Sequence, residues 1–199
     1  GVVLITTFAS GPLESADAIK QTAEKLRYVK PVQNGFALET EVTIARCAKT
    51  TTFNSVTRRG RRQLTVHSRF DKNRRLLDAK VTHRGDRDTK TADAETRGTM
   101  VVVMQHDGTK VKLNCPPGVI VTSAPDWTDA ILCTRAFDLR KGRTQQFAGL
   151  WMHPTHQPLR LTFKLHLDGT ERVMKGKTPH TVERFTLTLR GGSRYAVWR

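Results

Sequence analysis

The sequence predicts a mainly β fold, a curved antiparallel sheet or half-barrel of about ten short strands with two helices. Three observations carry this. From Gly35 onward, apolar and polar residues alternate with a period of two. Turn-forming pairs punctuate the alternation at Asn34-Gly35, Arg59-Gly60, Asp107-Gly108, Asp168-Gly169 and Gly191-Gly192. Only two stretches take a helical period instead.

The opening GVVLITTFAS reads as a first strand, with the remnant of a trimmed export signal as the alternative. Residues 12–28 (PLESADAIKQTAEKLRY) predict an amphipathic helix, with Pro12 in the first turn and Leu13, Ala16, Ile19 and Leu26 as a thin apolar stripe. Residues 35–122 then predict strands: FALETEVTIAR, TTTFNSVT, RQLTVHSRF, RLLDAKVTH, TMVVVMQH and TKVKLN. A second helix is expected over 125–137, with Ser123 as cap and Trp127, Ala130, Ile131 and Thr134 at helical spacing. Strands resume over 145–198, where Asp168-Gly169 is expected to join LRLTFKLHL to TERVMKG in a hairpin. With no linker and no repeat, residues 1–199 read as a single domain.

The net charge is +16, but it is unevenly placed. Residues 46–90 carry fourteen basic and four acidic groups, whereas residues 1–45 carry four and five. Such a field attracts polyanions: nucleic acid, anionic lipid headgroups or polysaccharide. The stretch VTRRGRR places Arg58, Arg59, Arg61 and Arg62 at a hairpin tip. Arg74 and Arg75 fall at the next turn, which belongs to the opposite end of the sheet. Phe53 and Phe70 are the nearby aromatics, and both lie in strands. A nucleic-acid reader, which wants stacking rings among its cations, is therefore disfavoured.

Alternation also gives the sheet one apolar face. Two helices are too few to cover it, so a concave apolar surface is expected, with a filled core as the alternative. Phe163, Leu165, Phe185, Leu187 and Trp198 are the candidate contacts for a lipid or other small apolar ligand.

Catalytic and cofactor signatures are missing. There is no nucleophile elbow, P-loop or dinucleotide fingerprint, so no cofactor is expected. His153 and His156 are spaced like a metal pair, but Pro154 and Pro158 exclude a regular helix there, and no metal is assigned. Arg84-Gly85-Asp86 spells a cell-adhesion tripeptide, read here as chance in a charged turn. Cys47, Cys115 and Cys133 form neither a disulfide framework nor a paired zinc spacing.

The order DWTDAILCTRAFD, QQFAGLWMHP, RFTLTLRGGSRYAVW resembles uncharacterised bacterial envelope proteins. Their broader relatives include the periplasmic lipoprotein-carrier (LolA-like) fold, an unclosed barrel with helices at its mouth. The resemblance implies an exported, largely β protein that holds a lipid or other apolar molecule or serves as an accessory domain; with no catalytic signature, a noncatalytic periplasmic or secreted binding protein is the expectation. The alternatives are polyanion binding through the basic turns, and an enzyme or an accessory domain of a larger secreted enzyme.

Overall fold

The structure, a computed structural model, describes residues 6–9, 22–30, 38–123, 128–175, 177–189 and 192–199. They form two sheets. The first holds nine strands in chain order, each antiparallel to the next: β1 (Thr6–Ala9), β2 (Thr22–Lys30), β3 (Leu38–Arg46), β4 (Thr50–Arg59), β5 (Arg62–Asp71), β6 (Leu76–Arg84), β7 (Thr89–Arg97), β8 (Met100–Met104) and β9 (Lys110–Asn114). The second holds β10 (Ile120–Thr122), β11 (Thr144–His153), β12 (His156–Lys175), β13 (Thr178–Thr188) and β14 (Arg194–Trp198). Here β10 runs parallel to β11. A parallel pair needs a long crossover, and helix α1 (Thr128–Ala136) followed by a 3-10 turn (Leu139–Lys141) supplies it. Among the described residues no pairing joins β9 to β10 or β1 to β14, so the barrel-like β architecture stays unclosed.

Three local expectations change. The helix expected over 12–28 gives way to β2 from Thr22 onward, while residues 12–21 lie outside the described residues. Strand β2 pairs along its whole length with β3, from Thr22 opposite Arg46 to Lys30 opposite Leu38. Cross-strand pairing on both edges outweighs a thin helical stripe. Asp168-Gly169 is not a hairpin tip: β12 runs twenty residues through it, with a bulge between Leu167 and Gly169. The Arg143 guanidinium donates to the Leu167 carbonyl at 3.1 and 3.2 Å and to the Asp168 carbonyl at 2.9 Å, satisfying acceptors at the irregularity. The segment TKTADAETR, absent from the expected strands, is β7.

Between the sheets lies a packed interior. Leu64, Val66, Val81, Ala92 and Val103 of the first sheet meet Val121, Leu150 and Met152 of the second. Helix α1 fills the rest, burying five consecutive residues from Ala130 to Thr134. A helix buried all round must have partners on every side. Leu132 and Cys133 belong to the cluster around Phe163 and Phe185, while Ile131 packs with Val42 and Ile44 of β3. Phe53 touches all three clusters.

Gly149 shows how tight this packing is. A Cβ at that position would meet the Phe163 ring at 2.4 Å. Gly149→Ala is therefore expected to cost about 1–3 kcal/mol by overpacking, read as a lower urea midpoint at unchanged slope.

Candidate functional site

The concave face is apolar at its centre and changes character at both ends. The period of two explains how. On β4 the row that buries Ser55 and Thr57 ends in Arg59, and on β5 the row that buries Val66 and Leu64 ends in Arg62. On β6 the row of Ala79 and Val81 ends in His83, and on β7 Ala94 and Ala92 are followed outward by Lys90. The register sets these ends side by side: Arg59 opposite Arg62, Leu64 opposite His83, and His83 opposite Lys90. Where the core rows stop, the cations begin.

The result is a cleft of about 650 Å³ between the β4–β5 and β6–β7 turns. Arg59, Arg62, Arg84, Arg87 and Lys90 line it, against two carboxylates, Asp86 and Asp88. Asp86 lies 3.8 Å from Arg62, and Asp88 lies 3.1 Å from Lys90. Both pairs are largely solvated and hold little energy. The far wall comes from the second sheet, through His153 and Thr155. The sheets are tied together at this end: His106 N–H donates to the Pro154 carbonyl at 3.0 Å, and the Gln105 amide donates to the His156 carbonyl at 2.6 Å.

A histidine cluster forms that wall. The Nδ1 atoms of His153 and His156 lie 2.7 Å apart, and His153 Nδ1 also accepts from the Thr155 N–H at 3.2 Å. The His83 ring stands edge-on to His153 at 4.4 Å between centroids, and its Nε2 is 3.2 Å from the hydroxyl of the fully buried Ser123. Trp151 stacks on the His153 ring. Burial first, then the neighbouring His83 and His156, push His153 down to about 4. Burial, then His156, lowers His83 as well. Among the described residues no group of three or more histidines, cysteines or carboxylates is arranged to hold a metal ion.

These shifts have a stability consequence. An unfolded chain takes up both protons near pH 6.5, and the folded chain resists until lower pH. The neutral pair thus contributes fully above about pH 6.5, and its contribution drains away as pH falls toward 4. In His153→Gln the loss of urea midpoint across that window is expected to be shallower than in the parent.

The other expected residues are distributed as follows. Arg58 and Arg61 are exposed at the same tip as Arg59 and Arg62 but do not line the cleft. Arg74 and Arg75 sit at the β5–β6 turn, at the opposite end of the sheet. Phe163, Leu165, Phe185 and Leu187 are 0–1% exposed and lie beneath α1, which fills the expected concavity. Val197 is opposite Phe185 in that cluster, so its neighbour Trp198 faces the other side of β14, where its indole N–H donates to Glu171. His83, Arg84, Arg87, Lys90 and His153 were not anticipated as parts of one site. For His83 and Lys90 the signal lies in the sequence, in the apolar rows of β6 and β7 followed past their last apolar member; Arg84, Arg87 and His153 lie off such rows.

No family model matches the chain, and no curated protein matches it. Among solved structures, a beta-barrel-like protein of the domain of unknown function DUF1849 from Brucella abortus is similar at 11% identity and a TM-score of 0.39. The alignment covers 98% of this chain and 85% of that one.

Proposed function

We propose that the protein is a noncatalytic binding protein for an anionic polysaccharide, held in the cleft between the β4–β5 and β6–β7 turns. The observation that supports this is the excess of five cationic side chains over two carboxylates in one concave site. Spaced cations that release counterions from a polymer give affinity without covalent chemistry. The cleft lining includes no Phe, Tyr or Trp on which bases could stack, which favours a sugar polymer over nucleic acid. Its apolar contribution is one leucine, Leu64, too little to enter a bilayer.

Carriage of a lipid on Phe163, Leu165, Phe185 and Leu187 would require α1 to leave the second sheet; the cleft requires no such movement. An extracytoplasmic setting is part of the proposal, since that is where such polymers are met.

Titration with a fluorescent heparin oligosaccharide tests the reading. Saturable binding is expected, with log affinity falling linearly against log salt. A single-stranded DNA of equal charge should bind more weakly. Equal affinity for both would reduce the cleft to an unselective patch of charge.

A further inference from the structure

The opposite end of the concave face holds a second opening, independent of the cleft. Here the inward rows end differently. On β3 the buried Val42 and Ile44 are followed by Arg46, which pairs with Thr51 of β4, and Thr51 pairs with Phe70 of β5. A cavity of about 300 Å³ results, roofed from the second sheet's side by α1 and the segment before β10. Its floor is apolar: Phe53 and Phe70 meet edge to face at 5.5 Å, with Leu132 of α1 beside them. Its rim is cationic: Arg46, Arg74 and Arg135.

The single carboxylate in this lining, Asp71, is already engaged. Its Oδ1 accepts the Asn73 N–H at 2.8 Å and the Arg75 N–H at 2.9 Å. Arg135 is paired with Glu24, which among the described residues leaves Arg46 and Arg74 as the surplus of the rim. Arg74 is held in a conformation that non-glycine residues rarely adopt, with φ 62°. Bonds on both sides keep it there: its N–H donates to the Asp71 carbonyl at 2.9 Å, and its carbonyl accepts from Gly118 N–H at 2.7 Å. A Cβ on Gly118 would lie 3.8 Å from the Arg74 guanidinium carbon, so the side chain passes over that glycine, which itself has φ 79°. A glycine at position 74 would take this turn without strain. An arginine kept there, with its side chain at the mouth of an apolar cavity, is a strained residue whose setting points to a role.

We infer that this pocket binds a small amphiphilic carboxylate, with its apolar tail on Phe53, Phe70 and Leu132 and its carboxylate between Arg46 and Arg74. The volume suits the class: about ten water volumes, enough for a chain of roughly ten carbons, and at the lower end of ligand cavities. Two guanidinium groups at an apolar opening match one carboxylate by charge and by fork geometry.

Decanoate, kept below its micellar range, is the probe, with decanol as the same tail without charge and acetate as the charge without a tail. Isothermal titration of the parent is expected to show one decanoate site, with decanol at least about tenfold weaker and acetate undetectable. The deciding variant is Arg74→Gly. Relief of the strained turn should leave its melting temperature unchanged or raised, while decanoate affinity falls at least about tenfold. Arg46→Gln gives an independent reading of the head-group site. Heparin binding at the far end should be the same in both variants, which separates this pocket from the cleft. Equal affinity for decanol and decanoate, no decanoate binding at all, or full binding by Arg74→Gly would each overturn the inference.

Discussion

Phe185→Ala is expected to lower stability by about 3–5 kcal/mol, the usual cost of emptying a buried aromatic site. The ring is fully buried, meets Phe137 edge to face at 5.1 Å, and has the Arg199 guanidinium carbon 5.4 Å from its centroid. Packing of this density has no slack to refill the space. For a chain of this size, about 2–4 °C accompanies each kcal/mol, so calorimetry should show a fall of roughly 6–20 °C. The size of the effect separates two roles for the inward aromatic residues. A side chain kept free for a ligand would cost little when truncated in the empty protein. One that seats α1 against β13 would cost the full amount. A stability change below about 1 kcal/mol would mean that the helix is not packed on this ring.

Converting Arg59, Arg62, Arg84 and Arg87 together to alanine is expected to abolish most heparin binding. If each arginine neutralises about one anionic group, the slope of log affinity against log salt should drop by roughly one per residue removed. Affinity at 100 mM salt should fall by at least about 100-fold. These side chains are exposed and carry no buried contacts, so the melting temperature should move little. The matching control is Arg58→Ala with Arg61→Ala at the same tip. These two arginines contribute to the general field but do not line the cleft, and their removal should cost no more than about tenfold. Equal losses in both variants would show that total charge, rather than the concave arrangement, does the binding.

The β class and most turns were legible because they rest on short-range rules. Gly60 and Gly108 take positive φ, as their tight turns require, and α1 lies where Ala130, Ile131 and Thr134 repeat at helical spacing. What escaped depends on partners distant in the chain. Strand β7 buries only Ala92 and Ala94, a weak apolar signal made effective by neighbours on both edges. Leu26 fits a helical stripe, yet the chain there is a strand because β1 and β3 flank it. Asp168-Gly169 has the chemistry of a turn and is instead absorbed as a bulge inside a long strand.

The site was half legible. Arg59 and Arg62 are visible in the sequence as a cluster, but adjacency alone groups them with Arg58 and Arg61, whereas the pleat sends neighbours to opposite faces. His83 and Lys90 are brought to the same rim by pairing across β5, β6 and β7, and His153 by the closure of the second sheet over the first. That closure could not be read from a single strand. It also explains why Phe163 and Phe185 are core: α1 occupies the space that two sheets without a crossover helix would have left open.

The most direct measurement is a backbone amide NMR titration with a heparin hexasaccharide. Shifts confined to residues 57–64, 83–90 and 153–155 are expected, with Leu165, Leu187 and the Arg74 turn unmoved. Shifts centred on α1 and the strands beneath it, or spread evenly over every basic turn, would rule out the cleft as the binding site.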